Sequence, residues 1–156
     1  MQVVSGAVGR EKVCFEAPEA DVVDAEMQRS LAWFNGLGAL DAVLRAAVAH
    51  LWFVTVHPFE DGNGRLARAI TDLQLAWAAG TAQRLYSLSA QIRLERPAYH
   101  AQLGAAQYGG LDITAWLGLF LGCLSRALEA TEQTLAKVLD KARFWEQYAP
   151  KQFNAR

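Results

Sequence analysis

Apolar residues recur at helical spacing along most of the chain, and capping or breaking residues separate the runs. The apolar positions of the first three predicted helices are Met27, Leu31 and Phe34; Leu44, Val48, Leu51 and Trp52; and Leu66, Ile70, Leu73 and Trp77. Asp41 is the expected cap of the second helix, and Gly36 and Gly80 follow the first and third. We predict that the apolar positions of all three helices face one core.

The rest of the chain continues the helical pattern toward its C-terminal end but not at its beginning. Residues 89–107 predict a short helix and a longer one, broken near Arg96 and Pro97. A final long helix is expected to begin after a cap at Asp112 or Thr114 and to run to about residue 148. The opening residues instead alternate around Val13 and Phe15, which is typical of a hairpin or edge strand. We therefore predict an all-α bundle with a short N-terminal β-hairpin.

Length and composition indicate one ordinary globular domain. The chain has 156 residues, is 53% apolar and carries a formal net charge of -1, so it shows no general preference for nucleic acid or anionic membranes. Cys14 and Cys123 are not spaced like metal ligands, and these two distant cysteines do not indicate a disulfide framework. Residues 113–124 form the most apolar stretch, which is too short to span a bilayer, and no signal peptide is recognisable. A cytoplasmic protein is expected.

The segment HPFEDGNGRLAR at residues 57–68 concentrates polar side chains at one predicted helix start. A helix start offers unpaired N–H groups and a partial positive charge, both of which favour anions. Gly62 and Gly64 allow the backbone to approach phosphate oxygens closely, and Asn63 adds an amide donor. This arrangement predicts a phosphate-binding site.

Charged residues of the same segment supply the remaining chemistry. Arg65 and Arg68 are three residues apart and can both face a bound anion. Asp61 is placed to hold Mg²⁺ on phosphates, and His57 can act as a general base. Phe59 is expected to point inward. Each feature alone also fits a turn, a solvated face or a structural histidine, but their combination favours a reaction at phosphate.

The segment matches every fixed position of HxFx[D/E]GNGRxxR, and it therefore resembles the signature of the Fic family. The resemblance implies a Fic-fold helical bundle that transfers AMP from ATP to a Ser, Thr or Tyr hydroxyl of a target protein. It also implies a role for each matched position. His57 would be the base, Asp61 would hold Mg²⁺, Gly62, Asn63 and Gly64 would form the anion hole, and Arg65 and Arg68 would contact the phosphates.

Two further segments resemble parts of the same family. SGAVGREKVCFEAP resembles the flap hairpin over the active site, which implies that a target protein docks on it; a frayed terminus is the alternative. RPAYHAQLGAAQ resembles the helix of the adenine pocket, which implies nucleotide contacts from Tyr99 and Gln107. Tyr99 fits a core aromatic equally well. The expected organisation is one Fic domain over residues 1–156: a flap at 1–18, a helical core at 20–148, and a tail or linker start at 149–156.

The resemblance leaves regulation and several alternatives open. Many Fic proteins carry an inhibitory helix with [S/T]xxxE[G/N]; only Ser125 and Glu129 approach it here, inside an apolar helix and followed by Ala130. Without such a helix, Arg68 is unobstructed and the domain is expected to be competent. Use of another nucleotide, removal of AMP, and a catalytically silent binding module are the alternative functions. A homodimer is also compatible with the family.

Overall fold

The computed structural model describes residues 2–5, 12–36 and 38–148. Two strands come first, β1 (Gln2–Ser5) and β2 (Lys12–Glu16). Six helices follow: α1 (Ala20–Asn35), α2 (Ala42–Val56), α3 (Asn63–Ala79), α4 (Leu88–Leu94), α5 (Arg96–Tyr108) and α6 (Thr114–Tyr148). The expected all-α bundle with a β-hairpin at its front is confirmed. The hairpin turn, the Cys14 side chain and the predicted tail at 149–156 lie outside what is described.

The hairpin is antiparallel and attached to the bundle through β2. Val3 pairs with Phe15 and Val4 with Val13, so the register shifts between Val3 and Val4. Phe15 is buried, and its ring meets that of Tyr108 on α5 edge to face at 5.9 Å. This contact holds the second strand above the end of α5.

Helix boundaries follow local capping chemistry. The Asp41 carboxylate accepts a hydrogen bond from the Val43 N–H at 2.8 Å and caps α2. Gly80, with φ 64°, ends α3 in the left-handed region. Asp112 accepts from the Thr114 N–H where α6 begins. The break between α4 and α5 lies at Glu95, immediately before Arg96 and Pro97, as expected.

The core is centred on α2. Ala46 and Ala47 are fully buried, and these small residues let neighbouring helices approach α2 closely. The Trp116 indole N–H on α6 donates to the Ala47 carbonyl at 3.0 Å, which satisfies a buried donor inside the core. None of the described helices is both long and apolar enough to cross a membrane.

The predicted inward face of α3 is wrong in part. Its buried residues are Asn63, Ala67, Thr71, Gln74 and Leu75, whereas Leu66, Leu73 and Trp77 are about half exposed. Small and polar side chains form the buried face because α3 packs directly on α2, and the larger apolar residues are turned outward. Trp77 instead packs against Phe34 of α1, with ring centroids 5.6 Å apart. Leu31 of α1 was also predicted to face inward and is half exposed.

Candidate active site

His57 lies immediately after α2 in a left-handed backbone conformation, with φ 51° and ψ 56°. Among the described residues it is the only one other than glycine with positive φ. Such backbone strain concentrates at functional sites. The backbone N–H of His57 donates to the Phe53 carbonyl at 3.0 Å, and its Nδ1 lies 3.2 Å from the Val54 carbonyl. Since that carbonyl can only accept, Nδ1 carries the proton and the lone pair is on Nε2.

Asn63 holds the loop between His57 and α3. Its side chain is almost fully buried, with Oδ1 accepting from the Phe59 N–H at 3.1 Å and Nδ2 donating to the Phe59 carbonyl at 2.5 Å. The amide expected near a phosphate is therefore bonded to the backbone of its own loop. The Phe59 ring is half exposed, contrary to expectation, because its backbone and not its side chain is anchored.

The start of α3 has the geometry expected of an anion site. Its N-cap is Gly62, at φ 88°, and no side chain caps the first-turn N–H groups. A Cβ added to Gly64 would lie 3.5 Å from Nη1 of Arg68, so the Arg68 guanidinium lies over this glycine. Backbone N–H groups and one arginine are thus placed on the same turn.

Asp61 and Arg65 bind each other in the structure. Arg65 Nη2 lies 2.9 Å from Asp61 Oδ2, and the Gly62 N–H donates to Asp61 Oδ1 at 2.6 Å. Both side chains are largely exposed, and an exposed pair of this kind contributes roughly 0–1 kcal/mol. A metal ion and phosphates can therefore replace the contact at little cost.

The ligand atoms available at the site fit a Mg²⁺ ion that is bound together with the phosphates of a substrate. No group of three or more His, Cys, Asp or Glu side chains in the described part of the chain could hold an ion alone. Asp61 is one accessible carboxylate, and Mg²⁺ is commonly bound through one or two carboxylates together with substrate phosphates and water. The exposed position of Asp61 is compatible with that mode.

A cavity of about 730 Å³ lies beside the loop. Of the residues predicted for the site, five line this cavity: His57, Gly64, Arg68, Tyr99 and Gln107. The other four, Asp61, Gly62, Asn63 and Arg65, occupy the adjoining loop and helix start without lining it. The cavity has the size of a small-molecule site, and it places a histidine and an arginine of the motif in one space.

Tyr99 and Gln107 enter the cavity from α5. Tyr99 is buried, and its hydroxyl lies 2.8 Å from His50 Nε2, so the hydroxyl is already bonded within the protein. Burial raises the pKa of Tyr99 to about 12. The residue is therefore a core aromatic whose surface also borders the cavity. Gln107 Nε2 donates to Thr55 Oγ1 at 3.4 Å, which ties α5 to the end of α2.

His50 is a residue that the sequence reasoning missed. It is fully buried in α2, its Nδ1 lies 2.9 Å from Thr71 Oγ1, and Thr71 in turn donates to the Ala67 carbonyl. Thr71 must then accept from His50 Nδ1, and His50 Nε2 accepts from the Tyr99 hydroxyl. Burial, with a smaller effect from Arg68, lowers the pKa of His50 to about 3. The sequence contained one signal for His50, namely a histidine inside an apolar helix. A polar side chain that is buried in this way needs hydrogen-bond partners.

Other cavity residues were also missed, among them Phe15, Arg93, Arg96 and His100. Phe15 comes from the hairpin and the other three from α4 and α5. Their contribution depends on tertiary packing, because Arg93 lies on α4 and Arg96 and His100 lie on α5. Only Arg96 and His100 share a helix, where their spacing of four residues could have grouped them.

The segment nearest to an inhibitory motif does not reach Arg68. Ser125 Oγ donates to Glu129 Oε1 at 3.0 Å along α6, and both residues are exposed. Within the described residues, Arg68 forms no ion pair with Glu129 or with any other carboxylate. We therefore interpret the partial match of this segment to the inhibitory motif as a coincidence.

The fold is a helical domain with a cavity at one side of its core. A histidine and the glycine-containing start of a helix lie at this cavity. The Fic/DOC family model matches residues 3–75. The structure is similar to that of a Fic family protein from Desulfovibrio desulfuricans G20, with a TM-score of 0.68 and 29% identity, covering 76% of this chain and 35% of that one. Together, the family match and the structural similarity support a Fic-domain protein.

Curated relatives agree with this assignment over part of the chain. It is 38% identical over 94 residues to Protein adenylyltransferase fic-1 of Caenorhabditis briggsae, covering 59% of this chain and 16% of that protein. It is 31% identical over 105 residues to Protein adenylyltransferase Fic of Drosophila erecta, covering 66% and 20% respectively. The chain therefore spans at most a fifth of the length of these two relatives.

We expect Asn63→Ala to loosen the loop that carries the site. The substitution leaves the Phe59 N–H and carbonyl without their partner and should reduce the free energy of unfolding by about 1–3 kcal/mol. Chemical denaturation measures the change, with Asn35→Ala at the exposed end of α1 as the matched control. Equal effects of the two substitutions would show that the Asn63 contacts do not stabilise the domain.

Proposed function

We propose that this domain transfers AMP from ATP to a hydroxyl side chain of a protein. The observation that carries the proposal is the position of His57: its Nδ1 is bonded to the Val54 carbonyl, and it lines the same cavity as Gly64 and Arg68. A base with a free Nε2 lone pair thus faces the space next to an arginine and a helix start suited to phosphate. The resemblance of the chain to named adenylyltransferases supports the same reaction.

In the proposed reaction, the target hydroxyl oxygen forms a bond to the α-phosphorus as the bond from that phosphorus to the β-bridging oxygen breaks. His57 Nε2 accepts the hydroxyl proton, and pyrophosphate leaves. First-turn N–H groups of α3 and the Arg68 guanidinium stabilise the charge on the phosphates. Arg65 joins them after it releases Asp61. Mg²⁺, held by Asp61, would neutralise charge on the phosphates.

The hairpin is the proposed docking surface for the target protein. Strands β1 and β2 pair only with each other among the described residues, so each has an unpaired edge that can add a strand. Phe15, on β2, lines the same cavity as His57, which supports docking of the target beside the proposed base. An extended target segment paired to the hairpin would therefore present its hydroxyl near His57.

The position of the isotope in ATP distinguishes the possible reactions. The chain is incubated with Mg²⁺ and ATP labelled either on the α-phosphate or on the γ-phosphate, and protein-bound label is measured after denaturing gel electrophoresis. Transfer of AMP incorporates the α-label alone, onto the domain itself or onto an added target. Incorporation of the γ-label would indicate phosphoryl transfer and overturn the proposal.

Two further arms address the remaining alternatives. Labelled UTP, GTP and CTP test the choice of nucleotide under the same conditions, and ATP is expected to be used best. Thermal unfolding with and without ATP and Mg²⁺ tests binding, because a ligand that binds the folded state raises the melting temperature. The absence of both label and thermal shift would favour the silent binding module.

A further inference from the structure

The cavity contains a second group of basic side chains outside the 57–68 segment. Arg93 near the end of α4, Arg96 at the start of α5 and His100 one turn later all line it. Arg96 Nε donates to His100 Nε2 at 3.4 Å, so these two side chains of the cavity lining also contact each other. Burial, with a smaller effect from Arg96, lowers the pKa of His100, in keeping with a neutral imidazole that accepts this bond.

Arg68 approaches the same space from α3. Its guanidinium lies over Gly64, and the residue lines the cavity together with Tyr99 and His100 of α5. Arginines from three helices, Arg68, Arg93 and Arg96, therefore line one cavity. Among the residues that the structure describes, Arg68, Arg93 and Arg96 form no ion pairs.

The neighbouring carboxylate does not neutralise this group. Glu95 lies between Arg93 and Arg96 in the chain, but its carboxylate binds Arg126 of α6 and the Gln91 amide. The hydrogen bond from Arg126 has the larger effect and that from Gln91 the smaller one, and they lower the pKa of Glu95 to about 2. No described Asp or Glu lines the cavity, so its charged lining is cationic only.

We propose that Arg93 and Arg96, together with Arg68 of the anion site, form an oligophosphate-binding subsite that extends beyond the helix start. Three guanidinium groups offer several N–H donors. These donors suit a ligand with adjacent phosphate groups better than a ligand with a single phosphate group. The ligand class includes pyrophosphate and the β- and γ-phosphates of a nucleotide. The subsite deepens the proposed function, since both occur in AMP transfer, but binding at it requires no transfer.

The test compares ligands that differ in their phosphates. Calorimetric titration of the full chain with inorganic pyrophosphate, ATP and AMP is carried out on the wild type and on Arg93→Gln/Arg96→Gln. We expect the dissociation constants of pyrophosphate and ATP to rise at least about tenfold, because two charge-assisted contacts are lost. The dissociation constant of AMP should change by less than about twofold, since its phosphate binds at the helix start.

A charge-matched variant separates the subsite from the net charge of the protein. Arg29→Gln/Arg143→Gln also removes two arginines, each of which is exposed and paired within its own helix away from the cavity. This variant should bind pyrophosphate as the wild type does. The proposal fails if the control loses as much affinity as Arg93→Gln/Arg96→Gln, or if neither variant loses any.

The outcome is also separable from that of the proposed reaction. Loss of pyrophosphate binding in the Arg93→Gln/Arg96→Gln variant establishes the subsite, even if no α-label is transferred by the wild type. Conversely, α-label transfer by a protein whose pyrophosphate affinity is unaffected by the variant supports AMP transfer and eliminates the subsite. Arg93→Lys/Arg96→Lys keeps the charge without the planar fork, and an affinity between those of wild type and the Gln variant is expected.

Discussion

Replacement of His57 by asparagine is expected to reduce AMP transfer by about 10²–10⁴-fold, the usual contribution of a general base. Asparagine is the informative substitution because the residue has φ 51°, and asparagine tolerates the left-handed region better than most residues. Its short amide cannot act as a base at neutral pH. The rate of α-label incorporation measures the effect.

The same substitution should leave the fold intact. Because the left-handed conformation strains most side chains, the free energy of unfolding of His57→Asn is expected to stay within about 1 kcal/mol of the wild type, and His57→Ala should be the less stable variant. Binding of ATP should also persist, since the anion site is formed by α3. A variant that folds, binds ATP and still transfers AMP at the wild-type rate would exclude His57 as the base.

The helices were predictable from the sequence because their ends depend on local chemistry. Asp41, Gly80 and the Arg96-Pro97 pair act on backbone groups within a few residues, and each marks a boundary that the structure confirms. The inward face of α3 was less predictable. Leu66 and Trp77 have the apolar character of core residues, but the close approach of α2 selects Ala67 and Thr71 instead.

The candidate site was predictable only where it is continuous in sequence. The segment at 57–68 identified the histidine and the helix start, but it could not show that the Asn63 amide binds the Phe59 backbone or that Arg65 binds Asp61. Those contacts depend on the loop conformation. The contributions of Arg93 and Arg96 require knowledge of how α4 and α5 are placed around the cavity that α3 also lines, and periodicity within one helix does not contain that information.

Acidification is expected to destabilise the domain through His50. The folded-state pKa of about 3 lies below the ordinary value of 6.5, so the unfolded chain binds a proton that the folded protein excludes. The contribution of His50 to stability is therefore fully present above pH 6.5 and is lost as the pH falls toward 3. The loss approaches about 1.4 kcal/mol per pH unit below pH 6, or roughly 2 kcal/mol by pH 5.

Comparison with His50→Gln isolates this contribution from that of other titrating groups. Glutamine cannot bond Thr71 and Tyr99 as the imidazole does, so at pH 7.5 the variant should be less stable by about 1–3 kcal/mol. It has no titrating group at this position, and its deficit should narrow as the pH is lowered from 7 to 5. Urea denaturation at each pH measures both proteins.

Parallel loss of stability by the wild type and His50→Gln over that range would contradict a buried neutral His50. If His50→Gln does not fold, the imidazole signals of the wild type provide a direct reading by nuclear magnetic resonance: His50 should remain neutral at pH 5. The hydrogen bonds of His50 join α2 to Thr71 on α3 and to Tyr99 at the cavity wall, and a folded-state pKa of about 3 keeps them intact over this pH range. Affinity for ATP should therefore show no change between pH 7 and 5 that is due to His50, because only the unfolded chain binds the proton in this range.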